Sequence, residues 1–170
     1  MVSDFKNDVV TNLPDITSIS FTRIDKKYLK VIIINFFLVF VSLFIGLVVL
    51  QQFVFSESIN AFKFTIYLSF TTFFAIIFLY LILSFSKRKY AIRDKDITYK
   101  SGLLVSKMTT VPFSRIQHVE IDEKPISRLF TLAALSVYTA GDSSDDLEIR
   151  GIKKETALKI KEFISTNINE

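Results

Sequence analysis

The chain has 170 residues and a net charge of +4 at pH 7; half of its residues are hydrophobic, 18 are Phe, and only 4 are Gly and 3 Pro. With no Cys it has no disulfide framework, thiolate nucleophile or cysteine zinc site, and its single His excludes a multi-histidine metal centre within one chain. The shortage of Gly and Pro excludes collagen-like and most low-complexity classes.

Residues 1–30 form a polar N-terminal segment with a net charge of +1. The hydrophobic excess follows it: 13 of the 18 Phe fall between residues 31 and 85. Within that stretch 31–50 and 64–85 carry no charged residue. A helix rises ~1.5 Å per residue, so each run is long enough to cross a hydrocarbon layer of ~30 Å. Their polar members, Asn35 and Ser42, then Thr65, Ser69, Thr71 and Thr72, are mild enough to be satisfied within or between helices. Two buried helices of a soluble protein would need more covering chain than the remainder supplies. The expectation is a transmembrane hairpin over 31–85, with an external loop at 51–63. A cleaved signal peptide fits badly, because the first apolar run begins at residue 31 and no small-residue cleavage site follows it.

Charge sets the orientation. Arg23, Lys26, Lys27 and Lys30 precede the first run; Lys87, Arg88, Lys89 and Arg93 follow the second; the loop holds only Glu57 and Lys63. Basic flanks stay cytoplasmic, so both termini are expected inside. Residues 86–170 carry +3, yet no aromatic–basic interleaving or reading helix accompanies that excess, and nucleic acid is not an expected partner. Anionic headgroups are, each well-placed Lys or Arg near them contributing ~1 kcal/mol. Lys87, Arg88, Lys89, Arg93 and Lys95 are the candidate headgroup residues.

Over 88–170 the pattern turns to short alternation, the mark of half-buried strands. Tyr90 and Ile92, then Ile97 and Tyr99, alternate with polar neighbours around an Asp94-Lys95 turn. Ser101-Gly102 reads as a second turn leading into a strand over 103–110, which Pro112 ends or bulges. A strand follows over 115–122, where Ile116 lies on one face and Val119 and Ile121 on the other; a bulge would reconcile them. Pro125 suits the first turn of a short helix over 126–132. Strands at 135–140 and 147–152 flank a polar turn at 141–146. Ala157, Ile160, Ile164 and Ile168 then recur on one helical face, widened by Phe163. Six or seven short strands closed by a C-terminal helix predict a small twisted sheet or split barrel, folding as a domain of its own.

Two runs carry a resemblance: Val111-Pro-Phe-Ser-Arg-Ile-Gln-His-Val-Glu-Ile, holding Pro112, Arg115, Gln117 and His118, and Arg128-Leu-Phe-Thr-Leu-Ala-Ala-Leu-Ser-Val-Tyr-Thr-Ala-Gly, holding Arg128, Leu129, Phe130 and Gly141. With Leu13-Pro14, the hairpin and the Lys87-Arg88-Lys89 junction, the layout resembles the YdbS-like bacterial membrane proteins, which carry a pleckstrin-homology (PH) domain behind a pair of transmembrane helices. The resemblance implies a seven-stranded PH-like split barrel with a capping helix, at the bacterial inner membrane. It also implies a scaffold found beside related PH-domain partners. Phosphoinositide-binding PH domains use a basic loop between their first two strands; here that place holds Arg93-Asp94-Lys95-Asp96, which is half acidic.

The residues suggest no enzyme. His118 with Ser114 is the one pairing to weigh as a hydrolase, and alternation splits His118 and Glu120 from Arg115 and Gln117. A half-buried His118 hydrogen-bonded to a loop is the favoured reading. Residues 141–146 hold three carboxylates without calcium-loop spacing, and no Gly-rich phosphate loop occurs. No cofactor, metal or small-molecule substrate is expected. The partners expected are membrane lipids and either a companion PH-domain membrane protein or a second copy of the chain.

Overall fold

A computed structural model describes residues 19–53, 61–140 and 147–168. Strand β1 (Thr22–Arg23) leads into helix α1 (Lys27–Phe53), and the chain returns through α2 (Lys63–Phe85). At ~1.5 Å per residue these helices are roughly 40 and 35 Å long, each enough to span a bilayer. Phe36, Phe40 and Phe44 repeat every fourth residue on one face of α1, and Phe70, Phe74 and Phe78 do so on α2. The rows meet antiparallel, with ring centroids 4.9 Å apart for Phe36–Phe78, 5.4 Å for Phe40–Phe74 and 5.7 Å for Phe44–Tyr67. Between helices in lipid there is no water to expel, so such packing is what joins them. The Asn35 amide donates to the Val31 carbonyl at 2.9 Å, and the Tyr67 hydroxyl donates to Gln51, so mild polar groups are met inside the hairpin. Leu38, Ile45, Phe73 and Ile76 face outward and are exposed. A soluble helix would bury such a surface; a lipid-facing one has no need to.

Beyond the hairpin lie β2 (Lys89–Ile92), β3 (Asp96–Ser101), β4 (Lys107–Pro112), a 3-10 turn (Phe113–Arg115), β5 (Ile116–Asp122), α3 (Pro125–Leu129), β6 (Leu132–Thr139), β7 (Leu147–Lys153) and α4 (Lys154–Ile168). They form two antiparallel sheets, of order β1-β2-β3-β4 and β5-β6-β7. Helix α4 packs on the second sheet and on the 3-10 turn, as expected of a capping helix. Ile97, Leu132, Leu135, Val137, Ile149 and Ile164 are fully buried between these layers. Thr98 is buried too, its hydroxyl 2.9 Å from that of Thr110 on the neighbouring strand.

The core also draws on residues ahead of the hairpin. Ile24, Tyr28 and Val31 are buried in the same cluster as the strands. The Asp25 amide donates to the Gly151 carbonyl at 2.9 Å. The first turns of α1 therefore belong to the folded domain as well as to the anchor. The seventh strand is β1, which precedes the membrane helices rather than following them.

Three expectations about local structure need correction. Residues 103–106 are not strand: Ser101 pairs with Lys107, and Gly102, at φ +103°, turns the chain away from the sheet. The short helix ends at Leu129 rather than 132, because Thr131 takes φ +58° and the chain re-enters a strand at Leu132. The next strand therefore starts three residues earlier than its alternation suggested. The bulge inferred in the strand after Pro112 is present: Ile116 pairs with Thr139 and His118 with Tyr138, leaving Gln117 extra. Ile116 and Val119 are thereby both buried. The polar turn at 141–146, Gly141 with it, and part of the helix–helix loop lie outside the described residues, as does the Ile168 side chain.

Candidate functional site: a basic groove at the membrane junction

Helix α2 ends at Phe85 and β2 begins at Lys89, so the chain passes from the membrane into the first sheet within a few residues. The sheet register gathers positive charge there. Arg23 lies opposite Lys89, and Lys89 opposite Lys100, across three adjacent strands. These residues and Lys87 line an open groove of about 520 Å³, with Ser86 and Gly102 at its rim. Among the described residues no carboxylate lines it, and none of the four cations has an ion-pair partner. Like charges directly opposite on neighbouring strands destabilise a sheet. Among the described residues no carboxylate offsets that repulsion, a setting in which a bound anion is stabilising. Tyr90 and Tyr99 face each other one register step deeper. Burial pushes both hydroxyls above their ordinary pKa, so neither supplies a balancing negative charge.

The five residues expected to bind headgroups are thus divided. Lys87 and Lys89 line the groove. Arg88 lies over the Tyr28 ring, 6.0 Å from its centroid, and ties the end of α2 to the start of α1. Arg93 and Lys95 sit at the β2–β3 turn, one strand length of roughly 13 Å from Lys89 and at the opposite end of the sheet. There Arg93 makes two bonds to Asp96, Nε to Oδ1 at 2.7 Å and Nη2 to Oδ2 at 2.5 Å. The Lys95 carbonyl accepts the Phe113 amide at 2.9 Å. Arg23 and Lys100 take the vacated places. Sequence order hides them, since one precedes the hairpin and the other follows two strands; only the pairing register brings them beside Lys89.

The motif residues shape the second sheet. Pro112 closes β4 opposite Asp96, Gln117 is the bulged residue of β5, and the Arg115 carbonyl accepts the Ala140 amide at 2.9 Å. Arg128 lies in the last turn of α3, its carbonyl accepting the Thr131 amide at 3.1 Å, and Phe130 packs on the core while Leu129 is exposed. The expectation for His118 is corrected: it is more than half exposed on the outer face of β5. Its ring stacks on Tyr138 with centroids 4.3 Å apart, and Nε2 lies 3.7 Å from Glu120. The bulge places both His118 and Gln117 on the solvent side. Among the described residues no group of three or more His, Cys, Asp and Glu is placed to hold a metal ion.

Two antiparallel sheets closed by a terminal helix and joined to an apolar helix pair define a membrane-anchored PH-like module. The family model for bacterial PH domains matches residues 28–168, most of the chain, and the protein belongs to that family. It is similar to the UPF0699 transmembrane protein YdbS of Bacillus subtilis (strain 168), with 27% identity over 77 residues. The match covers 45% of this chain and 46% of that protein, so the chain spans less than half of this relative. Among solved structures it is similar to a DUF1696 family protein with a pleckstrin-homology domain from Shewanella loihica PV-4, at 19% identity and a TM-score of 0.37, covering 48% of this chain and 70% of that one. Neither the PH domain nor UPF0699 is a family of enzymes.

Proposed function

We propose that the chain is a non-enzymatic scaffold at the inner face of the bacterial plasma membrane. Both termini and the PH-like domain are cytoplasmic, and the domain gathers a related PH-domain membrane protein or a second copy of itself. The observation that carries this reading is the shared core: Ile24, Tyr28 and Val31 are buried within the domain while α1 runs on from them into the apolar hairpin. The domain is fixed in one orientation to its anchor, as a platform for lateral assembly requires and a tethered enzyme does not. Orientation follows from the basic flanks on both ends of the hairpin. Crosslinking of the full-length protein in native membranes tests it. A PH-domain membrane protein or a self-crosslink is expected, and recovery of neither overturns it. The chain has no Cys, so Ala61→Cys and Lys161→Cys report topology cleanly. The first should label from outside intact cells, the second only after permeabilisation; the reverse order sinks the orientation.

The cationic groove favours a second reading, in which Arg23, Lys87, Lys89 and Lys100 engage anionic headgroups. Retention of phosphatidylglycerol over phosphatidylcholine by the purified protein should fall steeply with salt. It should also fall in an Arg23→Gln, Lys100→Gln variant. Retention that is indifferent to both removes this reading and leaves the scaffold untouched.

A further inference from the structure

Three apolar side chains of the domain stand apart in their exposure: Leu104 at 84%, Leu129 at 81% and Val105 at 80%; the next large one, Leu158, is at 50%. Single exposed apolar residues are ordinary. These three share one end of the domain.

Leu104 and Val105 lie in the β3–β4 loop, 102–106. Since Lys89 pairs with Lys100 and Ser101 with Lys107, the loop continues beyond the level of Lys89, towards Lys87 and the end of α2. Ser86 and Lys87 border the same groove as Gly102 and Leu103. Leu129 closes α3, which packs against α1. Just after it Leu132 pairs with Lys153, whose Nζ lies 4.0 Å from Asp25, two residues ahead of α1. One apolar tip thus stands beside the exit of α2 and the other beside the entry of α1.

The first tip is a closed turn. At Gly102 the φ of +103° folds the loop so tightly that an added Cβ would overlap the Val105 carbonyl oxygen, and Leu104 projects from that closed turn. Arg23, Lys87, Lys89 and Lys100 line the adjoining groove. An apolar loop beside a cationic groove matches the layer where anionic headgroups meet acyl chains, and burying such side chains there, Leu129 with them, removes their area from water.

We propose that Leu104, Val105 and Leu129 insert into the headgroup–acyl boundary of the same bilayer that α1 and α2 cross. The domain then sits on anionic phospholipid and is not held off it by its stalk. This depends on the helices spanning a bilayer, and not on which partner the module gathers.

The chain has no Trp, so single substitutions supply their own reporter. Leu104→Trp, Leu129→Trp and the control Leu158→Trp would each be placed, as full-length protein, in nanodiscs of phosphatidylglycerol and phosphatidylcholine. The first two should emit to the blue of the control, resist acrylamide, and be quenched by lipids spin-labelled near the carbonyl region. Emission from 104 and 129 that matches 158 overturns the proposal. So does a blue shift without lipid quenching, which assigns the tips to a protein contact. A nitroxide on Leu104→Cys gives an independent readout. Greater accessibility to oxygen than to a water-soluble nickel complex is expected, and the reverse overturns it.

Discussion

Gly151 and Tyr28 lock the domain to its anchor. Gly151 is the extra residue of a bulge in β7, where Ala133 pairs with Ile152 and Ala134 with Arg150. It adopts φ +85°, and a Cβ there would lie 2.7 Å from Cδ1 and 2.8 Å from Cβ of Tyr28. The bulge brings bare backbone against the aromatic ring at the start of α1. Gly151→Ala should therefore destabilise the protein by about 1–3 kcal/mol, from overlap and from the left-handed backbone together. Thermal melts of the full chain in detergent would show it. Measured against Tyr28→Ala alone, the added cost of Gly151→Ala should be smaller but not zero, because the backbone strain stays. No added cost in that background would mean that the ring contact alone fixes the glycine.

The seam predicts how the chain can be cut. A fragment of residues 88–170 lacks β1, Ile24, Tyr28 and Val31, and exposes the core face they cover. Small domains have little apolar burial to spare. That fragment should melt far less cooperatively than a chain in which residues 19–34 are joined to 86–170 by a short Gly/Ser linker. Matching melts and matching amide dispersion would show that the first turns of α1 are not part of the stabilising core.

Much of this architecture is legible in the residues. Charge-free length marks the two helices, and alternation marks the strands. The mismatch between Ile116 and Val119 is the bulge at Gln117. What is not legible depends on pairing across sequence distance. Thr22–Arg23 is too short to show alternation, and Tyr28 and Val31 sit where a helix already explains them. Leu103-Leu104-Val105 reads as strand core because apolarity does not say which side of a sheet, or of a membrane, it serves. The cationic groove is invisible for the same reason, since Arg23 and Lys100 meet Lys89 only through register.

Glu148 and Arg150, two apart on one face of β7, give a pH prediction. A 2.5 Å bond from Arg150 Nη2 to Glu148 Oε2 holds the carboxyl below its ordinary pKa. A carboxylate with a depressed folded-state pKa contributes stability above its unfolded value of ~4.3 and loses it as pH falls through the folded value. Both groups are partly exposed, so solvent screening limits the effect to less than about 1 kcal/mol. Glu148→Gln should lower the neutral-pH melt slightly, by that same amount, and so flatten the decline in melting temperature on acidification. An unchanged acid slope would assign that loss to other carboxylates.

The last helix offers the sharpest comparison, and the structure alters what its sequence pattern suggests. Ala157, Ile160 and Ile164 are buried as their spacing predicts, with Ile164 at 0% exposure. Phe163 is not a core residue: it is 41% exposed, with its ring edge-on to the buried Phe113 at 5.9 Å. It widens the apolar face at the rim rather than anchoring it. Ile164→Ala removes fully buried methyl groups and should cost ~2–5 kcal/mol, a large share of what a domain of this size possesses. Phe163→Ala gives up one aromatic contact and partial burial, and should cost ~1–2 kcal/mol. Lys161→Ala, on the solvent side, should stay within ~0.5 kcal/mol. Melts of the three full-length variants side by side should rank them in that order. If Phe163→Ala proves as damaging as Ile164→Ala, the ring is covered by something besides Phe113, and the exposed flank of α4 is a contact surface for a second molecule.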